Sequence, residues 1–384
     1  MSHVSNCMKL EIILGIIVLS VFLVGGIFYV NSTKEIASED ARSVGTIHDA
    51  NDEKQESILA PSSRGPKLLS IEEKIAKFPL ANEISSPDGF INTEGKPITV
   101  SEFKGKKVAL LDIWTYSCIN CIRTIPHLNE WHKKYEDQGL VIIGLHTPEF
   151  AFEKVQKNVE DAVKQYGIKY PVVLDNDFST WNAYGNRYWP RKYLIDIDGY
   201  IVYDHIGEGG YEETEKAIQK ALLERNTRLG VETKMPITSS GPVGGIVTDS
   251  GQVRSHELYF GSARNTDFEN GIQGITGGQT LTIPADLKPD QLYLGGTWSI
   301  TPEYAESSEG SIISMQYKAK DVYMVASSEQ GSEVEVFVDG KLVNTILIKS
   351  EKLYTIVAGT DYKEHTLEIK VKKSGVKVFA FTFG

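Results

Sequence analysis

The chain has 384 residues, 41% of them hydrophobic, and 40 Lys and Arg against 51 Asp and Glu give a formal net charge of −11. That length suits two domains with substantial cores, and the acidic balance argues against nucleic acid as a partner, because neutralising phosphates needs a basic surface. Three cysteines are too few for a disulfide framework.

Residues 1–11 read as a short cytoplasmic tail, with Cys7 as a free thiol. Residues 12–30 carry no charge. At the rise of an α-helix they reach about 28 Å, close to the hydrocarbon thickness of a bilayer. A signal peptide has a shorter apolar core and a small-residue cleavage site, which Tyr29-Val-Asn-Ser does not provide. The segment therefore reads as an uncleaved signal anchor. It predicts a single-pass protein of the cell membrane with the bulk of the chain on the extracytoplasmic side. Residues 31–76 are rich in Ser, Glu, Asp and Lys, with a breaker cluster from Pro61 to Pro66. They read as a flexible tether with a reach of about 35–40 Å, and a short helix is expected around Ser70–Phe78.

Residues 77–228 alternate strand and helix patterns, which predicts a parallel or mixed sheet covered by helices. Strands are expected at 97–100, 108–114, 140–146 and 171–174, and helices at 152–166 and 211–225. A hairpin is expected about Ile197-Asp198-Gly199. The run Asp196-x-Asp198-Gly lacks the remaining ligands of a calcium loop and reads as a turn.

The chemistry sits in one stretch of this region. The apolar run Val108–Trp114 breaks at a polar turn, and Cys118 and Cys121 follow. Ile122, Ile125, Leu128, Trp131 and Tyr135 then recur at helical spacing. Cys118 thus falls at the first turn of a helix, where free amides and the helix dipole favour an anionic sulfur. Cys121 lies one turn further in, close enough to close a disulfide, and the chemistry this favours is reversible thiol–disulfide exchange. Zinc half-sites and static disulfides share the spacing. A structural zinc needs four ligands, and Cys7 far upstream or His127 and His132 on the same helix supply them poorly. No metal and no cofactor beyond the redox-active pair is expected.

From about residue 236 to 384 the composition shifts to Thr, Val, Ile, Tyr and Gly, with short alternating runs. A hairpin about Asp339-Gly340 stands out. The pattern predicts an all-β domain, an antiparallel β-sandwich of jelly-roll type.

Residues 77–225 resemble the thioredoxin superfamily, in its membrane-anchored TlpA-like, ResA-like and DipZ-like branch. Asp112, six residues before Cys118, matches the buried acid of thioredoxins, and Pro126 matches the proline of the active-site helix. Glu149, in Gly144-Leu-His-Thr-Pro-Glu149, matches a second acid that ResA-like proteins carry near the disulfide. Tyr188-Trp189-Pro190 looks like the segment holding the cis-proline and is most like DipZ-type proteins. Ser117 departs from the usual Trp before the first cysteine, and Ile119-Asn120 from the usual intervening pair. The opening of the tail, from His256, resembles the carbohydrate-binding-like module of DipZ-type chains. Trp298, Tyr304 and Tyr323 are its candidate stacking faces.

The resemblance implies a thioredoxin-like fold followed by a β-sandwich, and an extracytoplasmic thiol–disulfide oxidoreductase acting as a reductant. Cys118 attacks and Cys121 resolves, Asp112 and Glu149 serve as acid–base groups, and Tyr188, Trp189 and Pro190 shape the substrate groove. Protein disulfides or thiols are the implied substrates, among them apocytochrome c. Electrons come from a membrane thiol carrier of CcdA/DsbD-like type, because nothing in this chain carries them through a bilayer. Two alternatives stand beside this reading. Thr115-Tyr-Ser-Cys118 matches the Thr-x-x-Cys of a thiol peroxidase, and the β domain permits a surface protein that holds a cell-envelope glycan.

Overall fold

A computed structural model of the chain describes residues 68–232 and 251–384. The expected tail at 1–11, the anchor at 12–30 and the tether as far as residue 67 lie outside the described residues. Among the described residues no helix is long and apolar enough to cross a membrane.

The first element is helix α1 (Ile71–Lys77), as the residues around 70–78 predict. The Ser70 hydroxyl accepts the Glu73 N–H at 3.2 Å, and the Glu73 carboxylate accepts the Ser70 N–H at 2.7 Å. This reciprocal pair satisfies amides that the helix leaves free. Lys74 is buried, and its ammonium donates to Asp196 at 2.5 Å, Asp198 at 2.6 Å and Glu224 at 2.5 Å. That cluster pins α1 to the domain that follows. Asp196 and Asp198 belong to a turn, as expected: the Asp196 carbonyl accepts the Gly199 N–H at 3.0 Å.

Six strands build the first sheet: β1 (Gly89–Ile91), β2 (Val108–Trp114), β3 (Leu140–His146), β4 (Val172–Leu174), β5 (Arg191–Ile195) and β6 (Ile201–Ile206). Their order is β1-β4-β3-β2-β5-β6. Strands β2, β3 and β4 run parallel and the other pairings are antiparallel. Every residue of β2 and β3 is buried, because both faces are covered, and this is why they read as near-continuous apolar runs, interrupted in β2 only by Asp112. Val108, Leu110 and Trp114 face the side holding helices α2 (Ile119–Tyr135), α3 (Gln156–Gln165) and, beyond the short α4 (Ser179–Ala183), α5 (Tyr211–Leu229). Ala109, Leu111 and Ile113 face Ile84, Ile98, Val100 and Trp181.

Two local expectations need correction. Residues 97–100 are not a strand. Ile98 and Val100 are buried, but the Glu83 carboxylate takes the Val100 and Ser101 N–H groups at 2.5 and 3.0 Å, so a side chain replaces the ladder. The edge strand is β1 instead. The helix expected at 152–166 opens as a 3-10 turn, Ala151–Lys154, before α3 begins.

Residues 251–384 hold eleven strands: β7 (Leu258–Tyr259), β8 (Gly277–Leu281), β9 (Tyr293–Ile300), β10 (Ala305–Ser307), β11 (Ile312–Lys318), β12 (Asp321–Ser327), β13 (Ser332–Val338), β14 (Lys341–Ile348), β15 (Lys352–Ala358), β16 (Glu364–Val371) and β17 (Lys377–Phe383). Instead of two separate sheets they form one antiparallel sheet, nearly closed on itself. Strand β9 is the reason. Tyr293–Gly295 pair with β11, and residues 296–300 pair with β8 and β10. The outer strands β14 and β15 approach each other, with the Asn344 side chain donating to the Ile356 carbonyl at 3.4 Å. The hairpin of β13 and β14 turns at Asp339-Gly340 with φ of 50° and 75°, as the pair predicts. Trp298 and Tyr323 are buried, and Tyr304 packs on Phe379 with ring centroids 5.2 Å apart. The three expected stacking faces are therefore packing residues.

The two domains share a core. Phe379 on β17 lies 5.2 Å from Phe150 and 4.9 Å from Phe152, ring to ring, and Val325 and Ala380 join the same cluster. Around it, Glu303 accepts the Ala151 N–H at 3.2 Å, and the Asn158 side chain donates to Glu351 at 3.1 Å. Arg123 of α2 is buried, with its guanidinium 5.6 Å from the Tyr323 ring.

Candidate functional site

Strand β2 delivers the chain to the site and α2 carries it away. Cys118 is the N-cap of α2, partly exposed, and Cys121 is buried inside the first turn; both are free thiols. Burial, then the hydrogen bond and charge of Cys118, and further off the Asp112 carboxylate, push the Cys121 thiol well above its ordinary range. The inner sulfur is held as a thiol while the outer one faces the solvent side of a helix start, where negative charge is favoured.

Asp112 lies on β2 and is buried. Burial pushes its carboxyl up to about 6, against the pull of Lys192. Lys192 is its register partner on β5, fully buried, with its ammonium 3.8 Å from the carboxylate, a contact too long for a hydrogen bond. Burial pushes the lysine down. Lys192 was missed in the sequence. Its one signal is a second cation, after Arg191, at the start of the strand that follows Pro190.

Glu149 lies near the pair but is already engaged. Its carboxylate accepts from the Arg264 guanidinium of the β domain at 2.6 Å and from the Tyr259 hydroxyl at 3.1 Å. A different acid, Glu153, was not singled out and organises the loop. It is fully buried and accepts from the Ser117 hydroxyl at 2.6 Å, the Ser117 N–H at 3.3 Å, the Glu149 N–H at 2.6 Å and the Phe150 N–H at 3.0 Å. Burial pushes its carboxyl up, and the hydrogen bond from Ser117 opposes the rise. The Ser117 hydroxyl thus meets a buried carboxylate, a hydrogen bond that a bulkier apolar side chain at this position would not make. Thr115 is buried with its hydroxyl 3.4 Å from His146 Nε2, and burial pushes that imidazole down to about 3, so it is neutral.

The Trp189–Pro190 bond is cis, and the Trp189 indole donates to the Thr147 carbonyl at 3.0 Å. Cys118, Glu149, Tyr188 and Trp189 line one cleft of about 390 Å³. Asp112, Cys121 and Pro190 are buried and are not among its lining residues. The opposite wall, which includes Glu257, Tyr259 and Arg264, comes from the β domain.

Two families match this chain: Redoxin over residues 76–222, and Thioredoxin like C-terminal domain over residues 255–384. The thiol-disulfide oxidoreductase ResA of Bacillus thuringiensis is 35% identical over 127 residues, covering 33% of this chain and 70% of that protein. The chain belongs to the redoxin family of thioredoxin-like proteins. This redoxin is also 37% identical over 306 residues to the DipZ proteins of Mycobacterium bovis and Mycobacterium tuberculosis, covering 79% of its own length. It spans 43% of those relatives. The match runs across both domains of the redoxin, in keeping with the core they share.

Proposed function

We propose that this redoxin is a thiol–disulfide oxidoreductase of the extracytoplasmic side of a membrane, working by mixed-disulfide exchange as a reductant. The observation that carries the reading is the asymmetry of the pair: Cys118 partly exposed at a helix start, Cys121 buried with its thiol protonated, and a buried acid beneath. The Cys118 thiolate attacks a substrate disulfide, one substrate sulfur leaves as thiolate, and Cys118 stays bound to the other. Cys121 then gives its proton to the Asp112 carboxylate and attacks Cys118, and the second substrate thiol departs. With its carboxyl near 6, Asp112 is ionised at neutral pH and basic enough to accept that proton. The redoxin is left oxidised, and a membrane dithiol carrier of CcdA/DsbD-like type returns it to the dithiol. The apolar run at 12–30 supports the membrane setting.

The peroxidase alternative places the Thr115 hydroxyl beside a peroxide. Its burial against His146 favours exchange instead. Glu149 enters the proposal as the group that ties the loop to Arg264. Trapping tests the reading. Cys121→Ser mixed with a disulfide substrate should accumulate a mixed disulfide on Cys118, and Cys118→Ser should accumulate none. Peroxide consumption by Cys121→Ser at the wild-type rate, with no mixed disulfide, would give the site to the peroxidase reading.

A further inference from the structure

Cys118 does not sit on an open face. The β domain stands opposite it, contributing Glu257, Tyr259 and Arg264 to the wall of the cleft. That wall is fixed by the Phe379 cluster and by the ion pair of Arg264 with Glu149. At about 390 Å³ the cleft is of small-molecule size. A folded protein partner covers about 800 Å² on each side of a stable interface, whereas Cys118 is reached through the cleft, which admits a small molecule or a narrow extended segment such as the one on which a carrier presents its thiols.

The charges in the cleft narrow the choice. Glu149 and Arg264 neutralise each other. Two charged groups of the lining remain without an ion pair to any described residue. Arg187 is exposed beside Tyr188 and Trp189 on the redox side, and Glu257, which accepts from the Tyr259 hydroxyl at 2.8 Å, lies on the β-domain side. The exposed Arg187 guanidinium complements a carboxylate, and on the other wall the Glu257 carboxyl, which shares the Tyr259 hydroxyl with Glu149, offers an oxygen to an ammonium.

We propose that the cleft selects low-molecular-weight amino-acid disulfides, of which cystine is the simplest, over folded protein disulfides. The inference rests on the exchange reading above. One turnover balances without an outside reagent: the Cys118–Cys121 dithiol gives up two electrons and two protons, the substrate S–S bond breaks, and two thiols leave as the redoxin disulfide forms.

The test uses the full chain in non-ionic detergent, reduced and freed of reductant, then mixed with excess L-cystine, cystamine or insulin. Loss of free dithiol is read by quenched alkylation and mass. Cystamine carries the same disulfide and amines without the carboxylates. The expected result is oxidation by L-cystine at least fivefold faster than by cystamine or insulin. Arg187→Gln should lower the cystine-to-cystamine ratio about fivefold, and Arg187→Lys should retain most of it. Insulin reacting as fast as cystine, or an unchanged ratio in Arg187→Gln, would overturn the selection while leaving exchange intact. If none of the three oxidises the dithiol, the exchange reading itself fails and the selection with it.

Discussion

Replacing Phe379 with Ala should destabilise both domains, not only the one that carries it. The ring is 3% exposed and meets Phe150, Phe152 and Tyr304 with centroids 4.9 to 5.2 Å apart. Emptying a buried Phe site costs about 3–5 kcal/mol, and the three aromatic contacts, worth about 0.5–1.5 kcal/mol each beyond area, place this case in the upper half of that range. Two of the three partners lie in the loop that Glu153 ties to Ser117, so the loss reaches the active-site segment. The assay is urea unfolding with probes in each domain, since Trp114 and Trp131 report the redox core and Trp298 the β core. Phe379→Ala should lower both midpoints together with the slope unchanged, the slope times the shift amounting to about 4 kcal/mol. Phe379→Leu, which keeps much of the volume, should cost about 1 kcal/mol. A fall confined to the Trp298 signal, with the redox transition unmoved, would refute the shared core.

Asp112→Asn should change stability with pH in a defined sense. The native carboxyl is held at about 6 by burial against an ordinary 3.8, so across that interval the folded chain keeps a proton that the unfolded chain has released, and stability falls as pH rises. The penalty is complete above about pH 6 and amounts to about 3 kcal/mol. The variant should therefore be near neutral below about pH 4 and more stable than the wild type by about 2–3 kcal/mol at pH 7, after loss of the Lys192 contact; a pH-independent difference would count against it. Glu153→Gln turns an amide NH₂ toward N–H and O–H donors and should cost about 1–3 kcal/mol, measured by the same unfolding. An effect under about 0.5 kcal/mol would mean that the four donors are satisfied some other way.

Local chemistry was legible in the chain; contacts between distant segments were not. Strands β2 and β3 show in the sequence because burial on both faces favours near-continuous apolar runs, and α2 shows because Ile125, Leu128, Trp131 and Tyr135 keep helical spacing. The two cysteines declare their place through the strand, turn and helix around them. Strand β1 is three half-buried residues with no period to read. Glu153 acts on Ser117 across 36 positions and Arg264 on Glu149 across 115, so no window of sequence contains either pair. Lys192 meets Asp112 only through the register of β5 on β2. The aromatic residues of the β domain look alike in sequence whether they face solvent or core, and β9, by pairing with both halves of the sheet, put Trp298 inside.

The most direct test of the central claim is the reduction potential of the Cys118–Cys121 pair, titrated against glutathione with the full chain in detergent and read by alkylation of the two thiols. The expected result is one reversible two-electron couple with a midpoint near or below about −270 mV, the range of a disulfide reductant. A midpoint near about −120 mV would reverse the direction of transfer to disulfide donation. Absence of any reversible couple would contradict thiol–disulfide exchange at this site.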